Sequence, residues 1–361
     1  MSKFIFKRIL YGLLVLAGVI TVVFLLFNVL PGDPARMLMG QRADEESLRV
    51  IQKDLGLDQT LSTQFVMYLN DLSPISTHSL DETHYLYLDN TKYNYTKLFS
   101  YGEDNVLVFK KPYLRRSYQT KRQVSDILFD YLPETAVLAI AAMLFATFFG
   151  IFFGVITALM KDTWVDKTLL FGSVLGMSIP SFYSAIIVSW LIGYALPQAT
   201  GINWFNMTGS LFEYDDLGNG EILKLRNLVL PAFTLGIRPI SAIMQLTRSS
   251  MLDVMSQDYI RTARAKGLSF FVVVVKHALK NALNPVVTAV SGMFASLLAG
   301  ALFVEMIFAW KGLGWVLYDA LTKYDLPIVM GGVLLTSTIF VIVNILVDII
   351  YGLLDPRVRV K

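Results

Sequence analysis

The stretch 257-QDYIRTARAKGLSFFVVVVKHALKNALNP-285 is a basic segment between two long apolar runs, and it decides how the chain is organised. Residues 252–264 show a helical pattern whose apolar stripe consists of Leu252, Met255, Tyr259 and Ala263. Gly267 suits the left-handed end of a helix, and Ser269 can cap a second helix that runs towards Leu283. We predict a helix, a glycine turn and a second helix that together form a docking surface at one face of a membrane.

The composition is that of a membrane protein. Of the 361 residues, 55% are hydrophobic, and the mean hydropathy is +0.55. Six segments of roughly 20 apolar residues are long enough to cross a bilayer: 9–30, 135–160, 168–196, 228–247, 282–304 and 327–353. The fourth is the weakest, because Pro231, Arg238 and Pro239 interrupt it. We therefore predict an all-α membrane protein with six transmembrane helices.

The basic residues of the short loops predict the orientation of these helices. One side carries Lys3, Lys7, Arg8, Lys161, Lys167, Arg248, Arg261, Arg264, Lys266, Lys276, Lys280, Arg357, Arg359 and Lys361. The opposite short loops carry only Lys224, Arg226, Lys311 and Lys323. Because cytoplasmic loops are enriched in Lys and Arg, both termini and residues 257–285 are expected in the cytoplasm.

Three regions follow from this topology. Residues 1–30 form an N-terminal transmembrane helix, residues 31–130 a long extracytoplasmic loop, and residues 131–361 a five-helix core with a coupling segment at 249–285. The loop begins with a turn signal at 31–34 and a helical pattern through Leu48, Ile51, Leu55 and Leu57. Residues 71–111 are rich in tyrosine and predict short strands or an ordered loop.

Two predicted spans carry small residues at every fourth position, which allow helices to approach closely in lipid. These residues are Ala142, Ala146, Gly150 and Gly154 in the second span, and Gly292, Ser296 and Gly300 in the fifth.

Near the outer ends of spans, Glu134 and Glu305 are expected to contact headgroups or neighbouring helices. Trp310, followed by Gly312 and Gly314, fits an interfacial aromatic anchor and a tight turn.

Several kinds of chemistry are excluded. The chain has no cysteine, which rules out disulfides, thiol catalysis and cysteine-ligated metals. It has no GxxxxGK[ST] sequence, so it cannot supply a P-loop for ATP. The net charge of +3 is too small to indicate nucleic acid binding. No catalytic or standard metal-ligand pattern emerges.

Several separated stretches resemble one known family. These are DYIRTARAKGLS (258–269), HALKNALNPVVT (277–288), LPGDPARMLMG (30–40), LGLDQTL (55–61), SIPSF (178–182), VEMIFAWKGLGWVLYDAL (304–321) and VDIIYGLLDPRVR (347–359). In this order they are similar to the permease subunits of binding-protein-dependent ABC importers, in the oligopeptide, dipeptide and nickel branch. The resemblance covers nearly the whole chain except about residues 71–111. The broader importer motif begins Glu-Ala-Ala, whereas this chain has Arg261, Thr262 and Ala263, with Gly267 at the glycine position.

The resemblance implies a MetI-like permease fold in the bacterial inner membrane. It implies that a coupling helix contacts an ATPase through Gln257, Asp258, Tyr259, Arg261, Thr262, Ala263, Ala265 and Gly267. It also implies a second permease subunit, two cytoplasmic ATPase subunits that hold the ATP and magnesium, and an extracytoplasmic solute-binding protein. This chain itself is then a transport subunit without a cofactor, and not an enzyme.

Some interpretations remain open at this point. The basic segment could lie against lipid headgroups instead of a protein. Arg238 is a candidate for the translocation path, where it would face the carboxylate of a peptide, but it could also bond carbonyl groups freed by Pro239 or extend to the interface. A secondary transporter and a membrane enzyme are the alternative functions. The solute could be an oligopeptide, a dipeptide or nickel.

Overall fold

The structure is a computed structural model that describes residues 2–29, 58–215 and 220–354. The turn signal at 31–34 and the helical pattern through Leu48, Ile51, Leu55 and Leu57 lie outside these residues. The chain forms two compact units. The helical unit comprises Met1–Gly12, Tyr131–Val316 and Thr338–Lys361, and the sheet unit comprises Leu13–Asp130 and Leu317–Ser337.

Helices make up most of the described chain. They are α1 Ser2–Val29, α2 Leu61–Leu72, α3 Val124–Leu159, α4 Trp164–Ser178, α5 Ser181–Thr200, α6 Arg226–Met255 and α7 Asp258–Ala265. Next comes α8, which begins at Phe270, passes through π-helical turns at Val273–Leu279 and ends at Gly300. They are followed by α9 Leu302–Ile307, α10 Leu313–Thr322 and α11 Leu326–Leu354. The strands are β1 Ile75–Ser79, β2 Tyr95–Tyr101, β3 Asn105–Lys110, β4 Phe212–Tyr214 and β5 Glu221–Leu223.

Six helices, α1, α3, α5, α6, α8 and α11, are long and apolar enough to cross a membrane, which confirms the predicted number. The predicted third span, residues 168–196, is wrong in detail. Ile179 and Pro180 are extended and divide it into α4 and α5, because the residue before a proline disfavours the helical conformation. Only α5 then qualifies as a span.

The span predicted as weakest is the central packing helix. α6 continues through Pro231 and Pro239, and 61% of its apolar window is buried in this chain, against 17% for α1. The small residues of α3 explain part of this burial. A Cβ on Gly150 would lie 2.7 Å from the Ile243 side chain, and one on Gly154 would lie 2.5 Å from that of Thr247. The predicted close-packing stripe of α3 is therefore confirmed, and its partner is α6.

The second small-residue stripe does not pack within the described part of this chain. Gly292 and Ser296 of α8 are exposed, and a Cβ on Gly292 would meet nothing within 4 Å. The burial of Gly300 lies outside what the structure describes. This part of α8 is therefore free to face a partner or an open path.

The sheet unit contains an antiparallel sheet with strand order β1-β3-β2, which confirms the predicted short strands in residues 71–111. Val106 and Val108 are fully buried on one face. On the other face, Ile75 pairs with Phe109, and both are exposed, at 57% and 54%. Phe99 of β2 pairs with Leu107 on the same face and is 58% exposed. This open apolar face is unusual for a surface in water.

A buried polar cluster supports the closed face of the sheet. Lys110 is 2% exposed, and its Nζ donates a hydrogen bond of 2.6 Å to the carbonyl oxygen of Asp71. Tyr93 donates from Oη to Asp71 Oδ1 at 2.7 Å, and its ring lies 5.0 Å from Lys110 Nζ. Burial lowers the pKa of Lys110 to about 8 and that of His78 to about 4. The contacts that join Asp71, Tyr93 and Lys110 were not predicted from the sequence, because these residues are distant from one another in the chain.

Candidate functional site

The candidate site is the elbow, residues 256–269, which joins α6 to α8 in the helical unit. α6 ends at Met255, and Gln257 is extended (φ −74°, ψ 150°) before α7 begins. Ser256 Oγ donates to the carbonyl oxygen of Asp253 at 2.7 Å, and such local bonds compete with helix continuation. The predicted continuous helix over 252–264 is therefore wrong, since it breaks at Ser256 and Gln257.

This break changes which residues of the elbow are buried. α7 buries Ile260, which is fully inaccessible, and Ala263. They pack with Met251 of α6 and Val273 of α8 in one apolar cluster. Tyr259, expected on the buried stripe, is 42% exposed, and its oxygen accepts a 2.9 Å hydrogen bond from Asn281 Nδ2. Ile260 was missed because the helical period was counted across the break.

The end of α7 is a Schellman motif at the predicted glycine. Gly267 has φ +76°, and a Cβ there would meet nothing within 4 Å. Its N–H donates to the carbonyl of Arg264 at 2.9 Å, and Leu268 N–H donates to that of Ala263 at 3.4 Å. The backbone conformation alone therefore requires glycine, which confirms the predicted left-handed stop.

The second helix of the predicted motif begins where expected. Ser269 is extended and occupies the N-cap of α8, although its side chain makes no capping hydrogen bond. The helix runs beyond Leu283 to Gly300. Phe270 and Phe271 stand at its start and are 59% and 73% exposed. Of the apolar run at residues 270–275, only Val273 and Val274 are buried within the chain.

The polar residues of the elbow face outward. Among the predicted coupling residues, all are exposed except Ala263: Gln257, Asp258, Tyr259, Arg261, Thr262, Ala265 and Gly267. Arg261 Nη1 lies 3.5 Å from Asp258 Oδ1, but the side chains are 77% and 95% exposed, so this pair contributes little to stability. Arg264 and Lys266 are exposed as well. The surface therefore displays three positive charges and one negative charge beside two exposed phenylalanines.

An ion pair fixes the end of α6 that leads into the elbow. Arg248 donates from Nε and Nη2 to the two carboxylate oxygens of Asp166 at the start of α4, at 2.8 Å each. Asp166 is 2% exposed and also accepts from the Asp162 N–H at 3.0 Å. The hydrogen bonds from Arg248 lower the pKa of Asp166. A two-pronged bond of this kind holds both direction and distance.

Arg238 lies apart from the elbow, on α6. It is exposed, and it makes no hydrogen bond or ion pair with any residue in the described ranges. The interpretation in which Arg238 bonds carbonyl groups freed by Pro239 therefore finds no support in the geometry. For metal ions, the described residues contain no group of three or more His, Asp or Glu side chains that could form a site.

The fold is that of a multi-pass helical membrane protein with an exposed helix–glycine–helix elbow. Comparison with known proteins identifies its family. Residues 150–360 match the family described as the binding-protein-dependent transport system inner membrane component, and residues 1–85 match its N-terminal part. The chain belongs to this family. It is therefore a transmembrane permease subunit of an ABC importer, in which ATP hydrolysis lies in separate subunits.

Three relatives match along their full length. A dipeptide transport system permease protein of Alkalihalophilus pseudofirmus is 31% identical, with 99% of this chain and 100% of the relative covered. A protein of the same description from Haemophilus influenzae is 34% identical over 99% and 100%. A glutathione transport system permease protein of Salmonella choleraesuis is 32% identical, and both chains are covered completely. The sequence-based recognition of the family is thus confirmed.

Proposed function

We propose that this chain forms, with a second permease subunit, the membrane path of a bacterial inner-membrane importer for small peptides. The relatives are named for dipeptides and glutathione, which are short peptides with a free carboxylate. The open stripe of α8 at Gly292 and Ser296 supports a second permease subunit as neighbour. Nickel is not named by these relatives, which favours peptides within the branch.

The elbow couples this path to ATP hydrolysis. The single observation that carries this role is that α7 is anchored by buried Ile260 and Ala263, while its charged residues are exposed and form no ion pair with a described residue outside α7. Two ATPase subunits, which hold the ATP and magnesium, bind this surface and move it. Because α7 packs on both α6 and α8, its displacement is transmitted to two transmembrane helices.

A protein partner explains the elbow better than lipid headgroups do. Asp258 is 95% exposed among the basic residues, and a carboxylate at this position is repelled by anionic lipid. Phe271 is the most exposed apolar side chain of the elbow region, at 73%, and offers an aromatic anchor for a pocket. Lipid contact remains the role of the spanning helices.

Both termini and the elbow lie on the cytoplasmic side in this proposal, and the absence of cysteine makes this testable. Lys266→Cys places a single thiol on the elbow, and Lys97→Cys places one on β2. A membrane-impermeant maleimide should label Lys97→Cys in intact cells and Lys266→Cys only after the membrane is opened. Labelling of Lys266→Cys in intact cells would contradict the proposed coupling role.

The open face of the sheet is the proposed contact for the solute-binding protein. Ile75, Phe99 and Phe109 form this face, and β2 leaves one edge of the sheet without a neighbouring strand among the described residues. An exposed edge with apolar neighbours suits a protein partner, because a protein can supply both hydrogen bonds and apolar contact. The family name itself states a dependence on a binding protein.

A charge placed on this face tests the contact. Phe109→Asp should weaken binding of the solute-binding protein about tenfold, because it buries a charge in an apolar interface. Tyr85→Asp is the matched control, since Tyr85 is 45% exposed in the same unit but lies outside the sheet. Equal binding by both variants and the unmodified protein, measured by surface plasmon resonance, would remove this part of the proposal.

A further inference from the structure

The arginines of the spanning helices differ in whether they have a hydrogen-bond or ion-pair partner within this chain. Arg8 pairs with Asp348 at 2.9 Å, and Arg248 pairs with Asp166 at 2.8 Å. Arg226 donates to the carbonyl of Trp204 at 2.6 Å and to Asn203 Oδ1 at 2.9 Å. Within the described spanning helices, only Arg238 has no such partner. The other arginines of the described spans therefore have a partner in this chain, whereas Arg238 has none.

The position of Arg238 on α6 is equally specific. From Leu230 to Arg248, Arg238 is the only exposed residue, and every other side chain is buried or half-buried. At a rise of 1.5 Å per residue it lies about 18 Å from the first residue of α6 and about 25 Å from the last. Arg238 therefore lies in the middle third of α6, away from both ends of the helix.

An unpaired guanidinium at this depth requires water or an anion, because hydrocarbon solvates it poorly. The neighbouring helix α8 also has uncovered polar side chains. α8 packs against α6, and it leaves Asn284 exposed and Thr288 half-exposed on a stripe that continues towards Gly292. Thr288 Oγ1 bonds only to the carbonyl of Asn284 in its own helix, at 3.2 Å. The two helices thus leave polar groups uncovered instead of enclosing them.

We propose that Arg238 binds the terminal carboxylate of the peptide as it passes through the membrane path. This inference rests on the proposed function and names the group of the substrate that the path recognises. A guanidinium fork matches a carboxylate with two parallel hydrogen bonds, which makes arginine better suited than lysine. An acidic side chain of the partner permease offers the same chemistry, and the test below separates the two sources.

The test uses the complete importer in proteoliposomes, with its binding protein and ATPases. Uptake of alanyl-alanine is compared with uptake of alanyl-alanine amide, each at a concentration that saturates the binding protein. Because the binding protein is the same throughout, its own selectivity cancels when a variant is compared with the unmodified importer. The ratio of free acid to amide should fall about tenfold in Arg238→Gln, since a charge-assisted pair is lost.

Two further variants complete the design. Arg238→Lys keeps the charge but not the fork, so its ratio should lie between those of the unmodified importer and Arg238→Gln. Arg226→Gln is the matched control, because it removes an arginine from the same helix that already has partners in this chain. Its ratio should equal that of the unmodified importer.

The outcomes are distinguishable. A reduced ratio in Arg238→Gln, with unchanged subunit composition, supports the inference. Equal reduction for both peptides overturns it, and so does loss of the second permease from the purified Arg238→Gln complex, which would assign the carboxylate to that subunit. If the unmodified importer couples ATP to the uptake of neither peptide, the proposed function itself fails, and this inference falls with it.

Discussion

Two turns of the helical unit differ in whether their polar groups are exposed or are buried and hydrogen-bonded within the chain. One is the elbow, and the other is the Trp310 turn, residues 308–312, which joins α9 to α10. Each contains a residue in the left-handed region, Gly267 at φ +76° and Ala309 at φ +53°. The elbow leaves its charges exposed, whereas the Trp310 turn encloses its polar groups.

The Trp310 turn is satisfied almost entirely within the chain. Glu305 is fully buried and accepts hydrogen bonds from Thr135 Oγ1 at 2.7 Å, Gly314 N–H at 2.6 Å and Trp315 N–H at 3.3 Å. Trp310 is also fully buried, and its Nε1 donates to the carbonyl of Glu134 at 3.0 Å. The prediction of Trp310 as an interfacial anchor is therefore wrong. The expected contact of Glu305 with a neighbouring helix is confirmed.

The difference separates structural turns from docking turns. A buried turn must satisfy its own donors and acceptors, because unpaired polar groups cost free energy away from water. An exposed turn can leave them for water or a partner. Substitutions should therefore change stability at the Trp310 turn and transport at the elbow.

The largest expected effect is on stability at the Trp310 turn. Glu305→Ala leaves three donors without this acceptor, two of them buried, which should lower the free energy of unfolding by about 3 kcal/mol. The measurement is thermal unfolding of the purified protein in detergent. Arg261→Ala in the elbow is the comparison and should leave the melting temperature unchanged. A similar loss in both variants would show that the two turns do not differ as described.

The same carboxyl group predicts a pH dependence. Burial raises the pKa of Glu305 from 4.5 to about 7, against the opposing hydrogen bonds from Thr135, Gly314 and Trp315. The fold thus favours the protonated form, and this stabilisation is complete below pH 4.5 and lost as the pH rises towards 7. The melting temperature should fall over this range, and Glu305→Gln should remove the slope. An unchanged slope in that variant would assign the titration to another group.

The third-largest expected effect concerns the backbone conformation of the elbow at Gly267. Gly267→Pro is incompatible with φ +76° and removes the N–H that bonds to Arg264, so α7 should lose its fixed end. ATP-driven uptake should fall by about tenfold or more, while membrane insertion is retained. Gly201→Pro is the matched control, since Gly201 also has φ +71° and open space at its Cβ. Normal uptake and normal substrate-stimulated ATPase activity in Gly267→Pro would contradict the coupling role.

The smallest expected effect comes from a surface charge of the elbow. Arg261→Glu reverses a charge that is 77% exposed, so the melting temperature should not change. Uptake should nevertheless fall several-fold, because complementary charges at an interface become repulsive. Lys276→Glu, an exposed position on α8, provides the control. If both variants transport equally well, Arg261 has no part in the contact.

The sequence predicted those features that depend on local chemistry. Gly267 was identified because few other residues tolerate a left-handed conformation, and the six spans because apolar length is sufficient to recognise them. The break at Ser256 was missed, since a helical period continues through a serine unless its side chain bonds the backbone. Pro180 was likewise overlooked as a division between α4 and α5.

Other features depend on contacts between distant residues. The three donors around Glu305 come from α3 and α10, and no local pattern brings them together. The burial of α6 depends in part on glycines of α3, which the sequence of α6 does not show. From the α6 sequence alone, two prolines and Arg238 made this span look weaker than it is. Among the coupling residues, Ala263 is buried, as its place on the apolar stripe predicts, whereas Tyr259 of the same stripe is exposed. The roles of the coupling residues and of Arg238 remain predictions.

The most direct test of the central claim is site-specific cross-linking at the elbow. Arg264→Cys carries the only thiol of this chain, and a photoactivatable cross-linker attached there reports its neighbour in the assembled importer. We predict cross-links to an ATPase subunit, with a yield that changes when ATP binds. Cross-links to lipid alone in every nucleotide state, or labelling of this thiol from the outer side, would contradict the account.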